Sequence, residues 1–239
     1  RGAWVFDSRF NISDFEPQRH ATRYLQQHFK GWFVETPDDR FDVSAATLFD
    51  FRTPQNGELR FFYILPTSPR AALVEYVGLT LTDFDELLDR YIRDALGIAS
   101  YRVVSDEIGI TPMTDHLFPR AAGAHVMNMG IPGGLAKPTT GYAYTRIQDD
   151  AAAIVASLLA CGHPFDVPAT SKPLYRLLDA VMLDVMARNP TCVKVAFERM
   201  FSRNPAPRIF RFLDERASPD DALRLIVTLP MLPFAAGAA

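Results

Sequence analysis

The 239-residue chain carries 25 basic and 28 acidic side chains, for a formal net charge of −3, and 48% of its residues are apolar. This apolar content suffices for a buried core in one or two domains. The 13 glycines and 18 prolines stay well below the share, roughly a quarter of all residues, that marks disordered low-complexity chains. With a pI near 6.0 and no basic run, the chain lacks the electrostatic footprint of a nucleic-acid binder, so we expect no nucleic-acid partner.

The cysteines and histidines indicate neither a disulfide framework nor a metal site. Cys161 and Cys192 are too few for such a framework, and they fit a reducing, cytoplasmic setting. The five histidines show no H-x-H or H-x-x-x-H spacing, so we expect no metal. No uncharged stretch reaches the roughly 18 residues of a membrane span, so we expect any contact with a bilayer to be peripheral.

The first third of the chain has the pattern of strands. Residues 4–9 predict a short strand, with no targeting signal before it. Between residues 31 and 77, apolar and aromatic runs alternate with turn residues, which predicts an antiparallel meander. Its strands are expected at residues 32–35, 45–52, 59–65 and 71–77. Asn56 and Gly57 predict a hairpin turn because both residues tolerate positive φ.

Helices dominate the rest of the chain. An N-cap signal and apolar residues at helical spacing predict a helix within residues 82–97. Short strands are expected at 101–104 and 124–129, followed by an alanine-rich helix that ends near residue 159. Further helices are expected at 174–186, 193–201 and 207–216, and Pro219 after Ser218 is typical of a helix start.

Glu75 stands out in the predicted strand at residues 71–77. The strand period places Glu75 on one face with Leu73 and Val77, and the opposite face is also apolar. A carboxyl group there is either buried with a raised pKa, as a potential proton donor, or a solvated or arginine-paired glutamate. The residues alone leave both alternatives open.

Two further segments contain candidate residues. Residues 106–113 place Glu107, Gly109 and Pro112 in what we predict to be a loop after a strand, either functional or an ordinary connection. Residues 128–142 lead a strand through small residues to a helix start, which suits a phosphate or the pyrimidine edge of a flavin, or forms only a helix-entry turn. No G-x-G-x-x-G or P-loop motif is present.

Taken in chain order, these segments resemble the bacterial lycopene β-cyclases, flavoproteins that form carotenoid rings. The resemblance covers nearly the whole chain. Its segments are residues 27–32, 48–52, 62–66, 72–76, 107–113, 133–134 with 138–142, 210–213 and 229–234.

The resemblance implies a mixed α/β fold of the flavin monooxygenase-like and geranylgeranyl-reductase-like type. This fold combines a large, mostly antiparallel substrate-domain sheet with part of an FAD-binding domain and a helical C-terminus. The implied domains are the end of the nucleotide-binding section at 1–30, the substrate domain at 31–123, the returning FAD-domain segment at 124–160 and the helical region at 161–239. The family's dinucleotide fingerprint is not in the chain, which starts at Arg1. We therefore expect a C-terminal part of a longer cyclase, inactive by itself.

The resemblance also implies the site residues. Glu75 falls at the family's catalytic acidic position, Glu107 in its E-x-G-x-x-P-M segment, and Asp50 in its Met-Asp element, where Phe49 replaces the methionine. The implied cofactor is reduced FAD, with NAD(P)H as the reductant. Its contacts are expected at Gly130, Gly133, Gly134, Pro138, Thr139, Thr140, Gly141 and Tyr142.

The implied reaction is acid-initiated cyclisation of the ends of lycopene, or of a related polyene, to β-ionone rings without net redox change. Glu75 would protonate the terminal alkene, and Phe61, Tyr63 and Tyr76 are candidates to line the polyene tunnel. Two alternatives remain at this point. One is a redox flavoenzyme of the same superfold, either a hydroxylase or a polyprenyl reductase, and the other is a noncatalytic carotenoid-binding fragment.

Overall fold

A computed structural model describes residues 3–12, 15 and 22–230 of the chain. The chain divides into two compact units, which we call the sheet unit, residues 26–111, and the helical unit, residues 1–25 with 112–239. The substrate domain predicted at 31–123 ends later in the chain than the sheet unit does. Residues 231–234 of the last resembling segment lie outside the described residues.

The described elements follow one another in chain order. The strands are β1 Val5–Asp7, β2 Tyr24–Glu35, β3 Thr47–Asp50, β4 Arg60–Ser68, β5 Ala71–Gly78, β6 Arg102–Thr114, β7 Ala121–Gly123 and β8 Val126–Asn128. The α-helices are α1 Phe84–Arg90, α2 Tyr144–Cys161, α3 Pro173–Arg188, α4 Pro190–Arg203, α5 Ala206–Leu213 and α6 Pro219–Ile226.

The five strands of the sheet unit are ordered β3-β4-β5-β2-β6. Strands β3, β4 and β5 form an antiparallel meander, as predicted, and Asn56 and Gly57 turn the chain between β3 and β4 with φ values of 48° and 80°. The prediction that β2 opens the same meander is wrong, because β2 lies on the other side of β5 and pairs with it antiparallel. Runs of apolar and aromatic residues show where strands lie. Which strands pair with each other depends on contacts between segments that are far apart in the chain.

One face of this sheet is covered by α1 and by the π-helical turn Tyr91–Ala95 that continues it. Asp83 caps α1 by accepting a hydrogen bond from the Glu86 backbone N–H at 3.1 Å, so the helix predicted within residues 82–97 is confirmed. The buried core between helix and sheet includes Phe62 and Leu88. The Phe62 ring stacks on Tyr91 with ring centroids 3.8 Å apart, which fixes the helix over β4.

Strand β6 corrects the prediction for residues 106–113, which form part of a 13-residue strand rather than a loop. Gly109 and Pro112 suggested a loop, but each has a reason to lie in a strand. A Cβ atom on Gly109 would lie 2.4 Å from Cζ of Phe29, so the glycine makes room for that ring. Pro112 is tolerated because β6 is at the edge of the sheet.

The helical unit contains a small sheet and five α-helices among its described residues. Strand β8 pairs with β1 in parallel and with β7 antiparallel. The predicted alanine-rich helix is α2, and the predicted helix at 174–186 is α3. Helix α4 starts three residues earlier than predicted, at Pro190, and α5 ends at Leu213 rather than at residue 216. Ser218 caps α6 at the predicted start. No helix in the described part of the chain is long and apolar enough to cross a membrane.

Candidate functional site

Two predicted acids, Glu75 and Glu107, meet on the sheet face opposite α1. Glu75 is on β5, where it pairs across strands with Tyr63 of β4 and Gly31 of β2. Its side chain is only 9% exposed and shares a hydrogen bond with the Glu107 carboxyl group of β6. Strand β2 lies between β5 and β6, so the two carboxyl groups reach each other across a whole strand.

Glu75 is held as a neutral acid. Burial, followed by the hydrogen bond and the negative charge of Glu107, raises the pKa of Glu75 from 4.5 to about 8. Two carboxyl groups this close cannot both be ionised cheaply, so the pair keeps a proton at neutral pH. The surroundings on this face are apolar, with Phe61, Leu73 and Val77 all buried. The site therefore offers a buried, protonated carboxylic acid beside an apolar surface.

Asp50, the third predicted catalytic residue, does not join this pair. Asp50 of β3 pairs in register with Phe62 of β4, whose ring lies under α1, so Asp50 faces the helix-covered side of the sheet. Its carboxylate accepts hydrogen bonds from Arg52 Nε at 2.9 Å and from the Tyr91 hydroxyl at 2.6 Å. Burial alone would raise the pKa of Asp50, but these two partners outweigh it and hold that pKa below its usual range.

The aromatic residues predicted to line a polyene tunnel divide between the two faces. Tyr63 is paired directly with Glu75, and Phe61 is paired with Val77, so both rings lie on the face of the carboxyl pair. Tyr76 lies on the other face, fully buried against Phe62 and Phe84. Tyr76 therefore does not share the face of Glu75, as the strand period predicts.

The predicted cofactor loop lies in the helical unit, between β8 and α2. Gly130, Gly134 and Gly141 adopt positive φ values of 61°, 77° and 72°, which bend the backbone in ways that other residues avoid. Gly133 is needed for space, since its Cβ would lie 2.7 Å from the Asn128 carbonyl oxygen. The N-cap residue of α2, Ala143, has no side chain that could cap the first helical N–H groups.

One side of this loop is held by a buried ionic cluster that sequence reasoning missed. Lys137 donates to Asp179 at 3.0 Å and to Glu215 at 3.3 Å, and Thr139 donates to Asp179 at 2.9 Å. Glu215 also accepts from Arg146 at 2.8 Å. The hydroxyl group of Thr139, a predicted cofactor residue, thus points into the protein, which leaves its backbone for any ligand. The hydrogen-bonded partners are all 40 residues or more apart in the chain, so no local motif signals the cluster.

A cleft of about 710 Å³ opens beside the loop. Its lining includes the predicted residues Gly134 and Pro138, together with Phe118, Arg146 and Arg176. The volume is in the range of cofactor pockets, and an aromatic ring beside bent glycine backbone fits the ring system of a flavin. Tyr142 is 44% exposed and is not among the residues that line the cleft. Among the described residues, no three His, Cys, Asp or Glu side chains are grouped in a way that would hold a metal ion.

Comparisons with known proteins agree with the resemblance. A family model described as lycopene cyclase protein matches residues 1–239. A lycopene beta-cyclase from Paracoccus sp. (strain N81106 / MBIC 01143) is 27% identical over 244 residues, which cover 92% of this chain and 60% of that protein. The chain thus spans about three fifths of the length of this relative.

Two solved structures are similar to this chain. A geranylgeranyl bacteriochlorophyll reductase-like protein from Thermoplasma acidophilum superposes with a TM-score of 0.54 at 13% identity, covering 99% of this chain and 61% of that one. A flavin-dependent brominase gives a TM-score of 0.41 at 14% identity, covering 95% of this chain and 58% of that one. The first of these likenesses confirms the predicted mixed α/β, geranylgeranyl-reductase-like fold.

Proposed function

Because the chain belongs to the lycopene cyclase family, we propose that it supplies the proton donor of an acid-initiated lycopene β-cyclase, and that Glu75 is this donor. One observation carries the proposal: Glu75 is buried on an apolar face beside Glu107, and this environment raises its pKa to about 8. An alkene is a very weak base, so its protonation requires an acid that is neutral and shielded from water. The Glu75 carboxyl group is buried, and its raised pKa keeps it neutral at pH 7.

The proposed reaction conserves atoms and electrons. The Glu75 proton adds to the terminal double bond of lycopene and leaves a tertiary carbocation. The neighbouring internal double bond then attacks this cation. The attack closes the ring and leaves the positive charge on a ring carbon. Loss of a ring proton forms the β-ionone double bond, and the carboxylate left on the Glu75–Glu107 pair is a base that can receive such a proton. Phe61 and Tyr63 lie on the same face of the sheet as the acid, where aromatic rings would favour a developing cation.

Reduced FAD is the proposed cofactor, with NAD(P)H as its reductant. Of the predicted loop residues, Gly134 and Pro138 line the cleft and would hold it there. A bound anionic flavin would stabilise positive charge electrostatically. Because lycopene is insoluble in water, the protein that carries this chain would collect its substrate by peripheral contact with a membrane.

The test is Glu75→Gln in the full-length protein, expressed in a host that accumulates lycopene. Glutamine keeps the size of the side chain but has no acidic proton. We expect retention of bound flavin and a loss of β-carotene and γ-carotene of at least about a hundredfold, at the lower end of what general-acid catalysis contributes. Glu86→Gln, which changes an exposed residue of α1, is the matched control and should cyclise normally. Normal cyclisation by Glu75→Gln would contradict the proposal.

A redox flavoenzyme is the second candidate, because the fold is shared with a reductase-like protein. A reductase consumes one NAD(P)H for each product, whereas a cyclase needs only enough to reduce the flavin. Product formed in large excess over the NAD(P)H consumed would exclude the reductase.

A further inference from the structure

Gly31 occupies the position on β2 directly between the two carboxyl groups. Adjacent strands lie about 4.8 Å apart, so Glu75 on β5 and Glu107 on β6 start about 10 Å apart, with β2 between them. Gly31 is the residue of β2 that pairs with Glu75. Since Gly31 has no side chain, the space above it is where the two carboxyl groups meet.

The backbone does not require glycine at this position. Gly57 and Gly97 adopt positive φ and have open space around them, so their role is conformational. Gly31 lies inside a strand without a positive φ, where glycine weakens a sheet. What distinguishes it is crowding: a Cβ atom there would lie 2.7 Å from Leu73 Cδ1, 3.2 Å from Glu107 Cγ and 3.3 Å from Glu107 Oε1.

We propose that Gly31 is a positioning residue for the Glu75–Glu107 pair, because only a residue without a side chain lets Glu107 cross β2 to contact Glu75. The importance of this role for catalysis rests on the proposed function. The contact between the two carboxyl groups can be measured without any reaction taking place. Any side chain at position 31 would stand between the two carboxyl groups. Leu73 Cδ1 and the Glu107 side chain must both move, and Glu107 is free to leave Glu75, since it projects from an edge strand and its residue is exposed.

The test is a titration of Glu75 in Gly31→Ala and Gly31→Val. The side-chain carboxyl carbons of glutamate are labelled with ¹³C, and the Glu75 signal is assigned by its disappearance in Glu75→Gln. The titratable side chains that neighbouring strands bring to Glu75 on this face are Glu107 and Tyr63. Displacing Glu107 breaks its hydrogen bond and moves its negative charge away from Glu75, so the Glu75 midpoint should fall by about one pH unit or more, towards the value in Glu107→Gln.

Gly109→Ala is the matched control. It crowds β2 and β6 in the same way, because its Cβ would meet Phe29 at 2.4 Å, but it places nothing between the carboxyl groups. Its Glu75 midpoint should match the parent. The milder Gly31→Ala keeps the test valid if Gly31→Val does not fold, since the nearest contact, Leu73 Cδ1, is the flexible end of a side chain.

An unchanged Glu75 midpoint in folded Gly31→Ala would overturn the inference, as would an equal shift in Gly109→Ala. The proposed function can fail separately. If Glu75→Gln still cyclises lycopene while Gly31→Ala shifts the titration, the positioning role stands and the catalytic one does not.

Discussion

Each face of the five-stranded sheet carries a buried acid, and the two faces hold these acids, Asp50 and Glu75, in opposite protonation states. Asp50 is 8% exposed and Glu75 is 9% exposed, so burial does not distinguish them. Asp50 faces a guanidinium group and a phenol, which keep it ionised. Glu75 faces another carboxyl group and apolar side chains, which keep it protonated.

This difference separates an acid that supports the fold from one suited to chemistry. The Asp50 carboxylate on β3 accepts a hydrogen bond from Tyr91 in the π-helical turn that follows α1. It therefore stabilises the packing of the helix-covered core. Glu75 keeps its proton because its close polar partner on the other face is a second carboxyl group, that of Glu107. Environments that push two carboxyl pKa values apart are a recurring way to assign acid and base roles.

The largest expected effect is the pH dependence of stability that Glu75 contributes. Unfolded, this carboxyl group ionises above about pH 4.5, whereas the folded protein holds its proton to about pH 8. The unfolded state therefore binds fewer protons across this window, and the free energy of unfolding should fall as pH rises, by on the order of 3 kcal/mol between pH 5 and 8. Urea unfolding of the parent and Glu75→Gln at both pH values measures this. Glu75→Gln should lack this loss of stability between pH 5 and 8. If its free energy of unfolding depended on pH as that of the parent does, Glu75 would not differ from an ordinary ionised acid.

Asp50→Ala should lower the free energy of unfolding by about 2 kcal/mol at pH 7, because it leaves the Tyr91 hydroxyl group buried without its acceptor. Arg52 is 63% exposed at its side chain, so water replaces its lost partner and the loss stays moderate. Asp50→Asn, which keeps an acceptor oxygen for Tyr91, is the matched control and should lose less. A change below about 0.5 kcal/mol in Asp50→Ala would mean that this face does not depend on the carboxylate.

Tyr91→Phe gives the smallest expected effect. It removes one hydrogen bond to Asp50 but keeps the ring stacked on Phe62, so it should cost about 1 kcal/mol in urea unfolding at pH 7. Because Asp50 loses a donor, its pKa should rise relative to the parent while that of Glu75 stays unchanged. A shift at Glu75 instead would show that the two faces are coupled.

Local patterns in the sequence predicted much of this arrangement. The period of two along β5 placed Glu75 and Tyr76 on opposite faces, and the Asn56-Gly57 turn and the Ser218-Pro219 helix start were both identified correctly. These features depend on a few neighbouring residues, whose steric and hydrogen-bonding preferences act locally.

What depends on strand order could not be predicted. The position of β2 beside β5, the strand conformation of Glu107 and the location of Asp50 on the other face all follow from pairings between distant segments. Gly109 and Pro112 gave a false prediction of a loop. Gly109 leaves space for Phe29 of the neighbouring strand and Pro112 is tolerated at a sheet edge, and both reasons depend on how the strands pair. The same holds for Gly31, which carries no signal of its own beyond being a glycine in a strand.

The most direct measurement is a ¹³C NMR titration that follows the side-chain carboxyl carbons of Asp50 and Glu75 in one sample, with assignments from Asp50→Asn and Glu75→Gln. We expect the Glu75 signal to titrate with a midpoint near pH 8. The Asp50 signal should titrate at a pH below the usual pKa range of an aspartate side chain. A Glu75 midpoint near 4.5, that of an ordinary glutamate, would contradict the account, because no proton would then remain on the acid at neutral pH.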